Sequence, residues 1–174
     1  MKIILETPRL TIRELSEDDL DEVAAMLMDP EVMRFWPRPY TSAESFAWIG
    51  RQRQRYATHG FGYWLAVEKA TGQAVGQVGV LPRVLDGVDE VDIGYIIRQS
   101  RWREGFASEG AAACRDHVFE ALGRPRVLCL VRPENTPSLG VARKIGFKTD
   151  GRLLMHAGFR HLVFTGEPDR KTAG

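Results

Sequence analysis

Apolar and polar positions alternate along several short stretches of this chain and recur at helical spacing along others. Val91, Ile93, Tyr95 and Ile97, with Asp92 and Gly94 between, form an alternating run that predicts a strand over residues 90–97. Leu10 and Ile12 mark a short strand over 9–13. Residues 63–68 and 74–81 form two more, joined at Thr71-Gly72 as a hairpin, and Asp86-Gly87 is a further turn. Residues 127–131 read as a buried strand. Residues 148–155 and 159–165 read as two closing strands joined by His156-Ala157-Gly158.

Helical spacing appears in four places. Ser16, with Asp19 three residues on, opens a helix whose stripe is Leu20, Val23, Ala24, Leu27 and Met28; Asp29-Pro30 stops it. Thr41 and Glu44 open a second, running to about Thr58 and ended by His59-Gly60; residues 32–40 between them read as irregular. Ala107, Ala111, Cys114, Val118 and Ala121 lie on one face of a third, over residues 106–122. Asn135 or Thr136 caps a fourth, with Pro137 at its first position, Lys144 in its last turn and Gly146 just past its end. Residues 166–174 read as a polar, frayed tail. Strands and helices interleave without strict alternation, so a mixed sheet is expected.

Between the strand at 90–97 and the helix from Phe106, polarity rises abruptly over residues 98–104, and Gly105 follows. Strand, polar loop, glycine and helix in that order leave unpaired N–H groups at a helix start. Such a start carries partial positive charge and suits phosphate or pyrophosphate. Gly105 and Ala107 keep side chains small where a ligand approaches the backbone. A tight turn at a helix start is the plainer reading of the same residues.

Composition narrows the field. The 174 residues fit a single domain with a proper core, and 44% apolar with 27% charged residues is ordinary for a globular protein. A formal net charge of +1 suggests no nucleic-acid footprint. Arg51, Arg53 and Arg55 read as a solvated helix face, with a basic groove for an acidic partner as the second reading. Cys114 and Cys129 read as small core residues, not as a disulfide or metal site. No apolar run approaches the roughly 20 residues of a membrane span, and the start of the chain has no signal-peptide core. The cytoplasm is the expected compartment. His59, His117 and His156 have no metal spacing; a P-loop, a dinucleotide fingerprint and a nucleophile elbow are absent.

A second stretch adds to the loop. Asn135 and Ser138 open a helix that ends Lys144-Ile145-Gly146-Phe147. Together with Trp102-Arg103-Glu104-Gly105-Phe106-Ala107 upstream, this resembles the GNAT superfamily of acyl-CoA-dependent N-acetyltransferases. The opening Thr7-Pro8-Arg9-Leu10-Thr11-Ile12-Arg13 resembles the branch that includes the ribosomal-protein N-terminal acetyltransferases, and the likeness runs from about Leu5 to about Thr165. The resemblance implies a mixed, mostly antiparallel central sheet of about seven strands with helices on both faces and a splayed fourth and fifth strand. Here those are residues 90–97 and 127–131. It implies that main-chain groups of Tyr95, Ile96 and Ile97 pair with pantetheine and that N–H groups from Arg103 through Ser108 hold the pyrophosphate. Arg98, Arg101 and Arg103 are then electrostatic helpers or plain surface residues. Glu104 departs from the family pattern, which often has a basic residue or glycine there.

Acetyl transfer to an amine calls for a proton acceptor near the amine and a donor for the leaving thiolate. By resemblance, Asp92 is the first candidate base and Glu90 the second, while Ser138 is the donor and Asn135 binds the pantetheine arm. Each also has a bland reading: Asp92 as a strand-edge or solvent-facing carboxylate, Asn135 and Ser138 as helix-start residues, Tyr95 as a core tyrosine. Trp36, Tyr40, Phe159 and His161 are the candidates for lining the acceptor mouth, with plain packing as the other reading of each. The implied activity is acetyl-CoA-dependent transfer to a primary amine, without metal, by a monomer or homodimer; the resemblance of the opening residues favours a peptide or protein N-terminus as acceptor. A small-molecule amine acetyltransferase acting on aminoglycosides, amino acids or polyamines is the alternative. A non-catalytic acyl-CoA-binding module and a nucleotide-phosphate binder stand behind it.

Overall fold

A computed structural model describes residues 2–168. Eight strands form one sheet: β1 (Ile3–Glu6), β2 (Leu10–Arg13), β3 (Tyr63–Glu68), β4 (Ala74–Leu85), β5 (Val88–Ile97), β6 (Val127–Val131), β7 (Leu153–His156) and β8 (Phe159–Gly166). Their spatial order is β1-β2-β3-β4-β5-β6-β8-β7. Neighbours are antiparallel except β5 and β6, which run parallel and share a single paired position, Asp92 with Leu128. Beyond it the two strands part.

Period-two alternation sorts the strands' side chains between two cores. Tyr63, Leu65 and Ile96 face one side, where α1 (Leu20–Leu27) and α2 (Ser42–His59) bring Val23, Leu27, Trp48 and Ile49. Trp64, Ala66, Ile93 and Ile97 face the other, where α3 (Phe106–Glu120) and α4 (Thr136–Lys144) bring Phe106, Cys114, Val118 and Ala142. Burying the large apolar side chains contributes about 1.5–3 kcal/mol each.

The differences from the expected elements have local causes. The eighth strand is β1, which pairs Leu5 with Ile12 and Glu6 with Thr11; its three apolar residues are too few to stand out before their partner is known. β4 runs four residues past Leu81. The Arg98 N–H donates to the Val75 carbonyl at 3.0 Å, so Gly76 and Ile97 are a non-hydrogen-bonded pair. Counting along the register, Pro82 opposite Val91 is another, and its missing N–H breaks no bond to β5. The expected strand at 148–155 keeps only the bridge of Lys148 with Thr165 and then β7. Between them Thr149 Oγ1 and Asp150 Oδ1 accept the N–H groups of Gly151 and Arg152 at 3.1 and 2.9 Å, and such local bonds compete with a ladder. Ser16 opens a 3-10 turn before α1, and its N–H donates to Asp19 at 2.8 Å. Asn135 caps α4, which places Pro137 second. Gly166 ends β8, and residues 169–174 of the expected frayed tail lie outside the described residues.

Candidate active site

After β5 a 3-10 turn (Gln99–Arg101) leads into a loop with two left-handed residues, Arg103 at φ 65° and Gly105 at φ 86°. A Cβ on Gly105 would meet only Arg9 Nη2, at 3.4 Å. Glycine is required there by backbone conformation, not by lack of room. The first helical bond of α3 runs from the Glu109 N–H to the Gly105 carbonyl at 3.0 Å. The N–H groups of Phe106, Ala107 and Ser108 therefore have no partner within the helix, and they carry its partial positive charge.

Long-range contacts clamp this loop. Arg9 donates to the Glu104 carbonyl at 3.0 Å and to Glu109 at 2.6 Å, and Thr7 donates to Glu109 at 2.6 Å. The guanidinium groups of Arg9 and Arg101 lie 4.3 and 4.8 Å from the centre of the Phe106 ring. Arg101 is held by Glu68 at 2.8 Å and Glu104 at 3.0 Å, and Arg98 is paired with Glu22. Both guanidinium groups are thus engaged by carboxylates, and Arg101 also lines the groove along this loop. Arg101 also holds the Glu104 carboxyl below its ordinary pKa. The departure at Glu104 is thus absorbed by an ion pair. Glu104 does not line the groove, whereas Trp102, Arg103, Gly105, Phe106, Ala107 and Ser108 do.

That groove, of about 700 Å³, continues along β5 to α4. The alternation set by Arg98 and Val75 turns the peptide groups of Tyr95 and Ile97 into the gap beside β6. Ile96 lines the groove, but its peptide groups turn to β4, so it drops out of the expected main-chain set. The Trp102 indole N–H donates to the Ile97 carbonyl at 2.8 Å. Asn135 Oδ1 accepts the Ser138 N–H at 3.2 Å, and Tyr95 Oη donates to the Ser138 carbonyl at 3.1 Å. Unpaired N–H groups at one end and open strand edges along the length fit the diphosphate and amides of an acyl-CoA.

A second cavity, of about 300 Å³, opens from the gap towards the other face of the sheet. Both cavities are lined by Phe35, Trp36, Tyr95, Asn135 and Ser138, so they meet there. Trp36, Phe159 and His161 line the second one as expected. Tyr40 does not: it packs behind, its ring edge-on to Trp36 at 6.2 Å and to Trp48 at 6.0 Å. Burial pushes the pKa of His161 down, and burial with Arg83 beside it brings that of His156 to about 4.

Asp92 lies in the wall of this cavity and is 4% exposed. Its Oδ2 accepts from Arg83 at 2.5 Å and its Oδ1 from the Leu130 N–H at 3.2 Å. Burial pushes its pKa up, and Arg83 opposes that. The solvent-facing reading of Asp92 therefore fails. Glu90 is held by Arg126 and lines neither cavity.

Sequence reasoning missed Tyr63, Arg83 and Arg132, and placed Arg55 on a solvated face. All four line the second cavity. Tyr63 lies over Gly94, where any Cβ would overlap its hydroxyl. Arg53 pairs with Glu17 on the surface as expected, while Arg55 turns inward. Helical periodicity could have separated Arg55 from Arg53: Gln52, three residues before Arg55, is fully buried.

The sheet order, the parted strands and the loop ahead of α3 define an acyl-CoA-binding transferase fold. The model of the acetyltransferase (GNAT) domain matches residues 9–148, and the chain belongs to that family. It is 30% identical to the uncharacterized protein YkkB of Bacillus subtilis over 146 residues, 83% of this chain and 85% of that protein. Among solved structures, an acetyltransferase from Agrobacterium tumefaciens superposes with a TM-score of 0.81 at 26% identity, over 94% of this chain and 93% of that one. RimL, a ribosomal L7/L12 alpha-N-protein acetyltransferase in complex with coenzyme A, shares the fold with a TM-score of 0.77 at 16% identity, over 95% of this chain and 98% of that one. The protein is an acyltransferase. Among the described residues, no group of three or more His, Cys, Asp or Glu could hold a metal ion, and no helix is long and apolar enough to cross a membrane.

Proposed function

We propose that this protein moves the acetyl group of acetyl-CoA to a primary amine at the N-terminus of a peptide or protein, by direct attack while both are bound. The observation that carries this is the meeting of two cavities at Tyr95, Asn135 and Ser138, one suited to coenzyme and the other lined by aromatic side chains. The likeness to RimL supports an N-terminal acceptor.

The groups have distinct tasks. The N–H groups of Phe106, Ala107 and Ser108 bind the diphosphate, and those of Tyr95 and Ile97 align the pantetheine arm. Asp92 takes the proton of the attacking amine, directly or through water; burial favours its protonation, and Arg83 keeps it oriented. The Ser138 hydroxyl, with no hydrogen-bond partner among the described residues, donates to the leaving thiolate as the C–S bond breaks and the C–N bond forms. The test incubates the protein with acetyl-CoA and N-terminal peptides, amino acids, polyamines and aminoglycosides, and follows free thiol. Release with peptides is expected; no thiol above background with any acceptor sinks the reading.

A further inference from the structure

The charge of the acceptor cavity says more than that an amine enters it. Three guanidinium groups and one carboxyl line it among the described residues: Arg55, Arg83, Arg132 and Asp92. Arg83 is matched by Asp92 at 2.5 Å. Arg132 is paired with Glu134 and also donates to the Phe35 carbonyl at 3.2 Å. Arg55 has no such match. Its Nη1 donates to the uncharged Gln52 Oε1 at 3.1 Å, and it makes no ion pair with a carboxylate among the described residues. Burial, with Arg51 and Arg83 nearby, pushes its pKa down. A half-buried guanidinium facing a cavity, next to like charge, attracts an anion.

The aromatic walls do not reverse this. Rings attract cations, but Arg51 already lies 5.6 Å from the Trp48 ring centre and Arg132 4.0 Å from that of Phe159. Among the described residues lining the cavity the one carboxyl, Asp92, is occupied on both oxygens. An acceptor with a second cation therefore finds repulsion and no partner.

We infer that the preferred acceptor is a primary amine that also carries a carboxylate, which Arg55 receives, and that polyamines and aminoglycosides are poor acceptors. The inference rests on the acetyl-transfer reading above. An acidic peptide N-terminus and a free amino acid share this chemistry.

The experiment uses the full chain with acetyl-CoA and matched acceptors: the C-terminally amidated peptides Ser-Glu-Glu, Ser-Gln-Gln and Ser-Lys-Lys, phenylalanine against its amide, spermidine and kanamycin. The expected kcat/KM is about tenfold higher for the acidic peptide than for the neutral one, or for phenylalanine than for its amide if the source is a small molecule, with the cationic acceptors last. Arg55→Gln draws the acidic-to-neutral ratio towards one and Arg55→Glu inverts it, with the acetyl-CoA Kd at the wild-type value. Wild-type indifference to charge, a preference for cationic acceptors, or a ratio untouched by Arg55→Gln overturns the inference. Calorimetric binding of the same acceptors to the CoA-loaded protein reads the preference without turnover. Tight, charge-selective binding with no transfer removes the acetyl-transfer reading alone; equal transfer to every acceptor removes the charge assignment alone.

Discussion

The carboxylate of Asp92 accepts the main-chain N–H of Leu130 at 3.2 Å, two residues past Leu128, the last position at which β5 and β6 pair. A side chain thus takes over where the ladder opens. The same carboxylate is matched by Arg83 on its other oxygen. Asp92 is therefore a stitch across the parted strands as well as the proposed base, and substitution has to separate the two roles.

Asp92→Ala strands both the Leu130 N–H and the Arg83 charge. It is expected to cost about 2–4 kcal/mol of stability. Asp92→Asn keeps an acceptor for Leu130 and costs about half as much, but cannot take a proton, so kcat is expected to fall about 100-fold. Denaturant titration and turnover on the same samples check this. Full kcat in Asp92→Asn leaves Asp92 only the structural role.

For Ser138→Ala, the Asn135 cap survives because the bond is to the Ser138 main-chain N–H. Stability and acetyl-CoA Kd should stay near wild type while kcat drops about 10–100-fold. An unchanged kcat removes the hydroxyl from the reaction.

Arg9 grips the coenzyme loop from a distance. Arg9→Ala deletes its bonds to the Glu104 carbonyl and Glu109 and its place over Phe106. We expect acetyl-CoA to bind about five- to tenfold more weakly, with only about 1 kcal/mol lost in stability because the pair is part-exposed. Calorimetric titration with CoA reads the affinity; wild-type binding would mean the loop holds its shape without the clamp.

Two glycines make a matched comparison. Gly105→Ala puts a side chain at φ 86° and is expected to cost about 1–2 kcal/mol and to weaken coenzyme binding. Gly50→Ala, inside α2 with nothing within 4 Å of the new Cβ, is expected to add about 0.5–1 kcal/mol. Opposite signs in thermal melts support the backbone explanation; a neutral Gly105→Ala contradicts it.

His156 gives a pH dependence. Its pKa is lowered from 6.5 to about 4 by burial, with Arg83 and His161 adding to it. The unfolded chain takes up the proton first as pH falls, so stability is lost between about 6.5 and 4 and is level above that window. The residue's exposed surface screens the effect to about 1 kcal/mol or less. His156→Gln should flatten this part of the curve, and an unaltered slope would assign it elsewhere.

The coenzyme half was the more legible. Residues 97–109 and 135–147 are continuous in sequence, and a helix start needs only its own neighbours to expose N–H groups. Even there, the exclusion of Ile96 required a register, because one hydrogen bond from Arg98 to Val75 decides which peptide groups face the gap. The acceptor half is assembled from separate strands, helices and loops. Arg83 was hidden by a proline that reads as a strand end until its position opposite Val91 is known.

By itself, the sequence determined the helices and most strands, the loop that turns unpaired amides outward, and the family, since periodicity, caps and turn residues act over a few positions. The tertiary structure alone decided that Arg9 grips Glu109, that Asp92 is shared between Arg83 and Leu130, and that Arg55 turns inward. Such meetings depend on strand register, on where β5 leaves β6 and on which face of α2 meets the sheet, and each of these is settled by burial across the whole molecule.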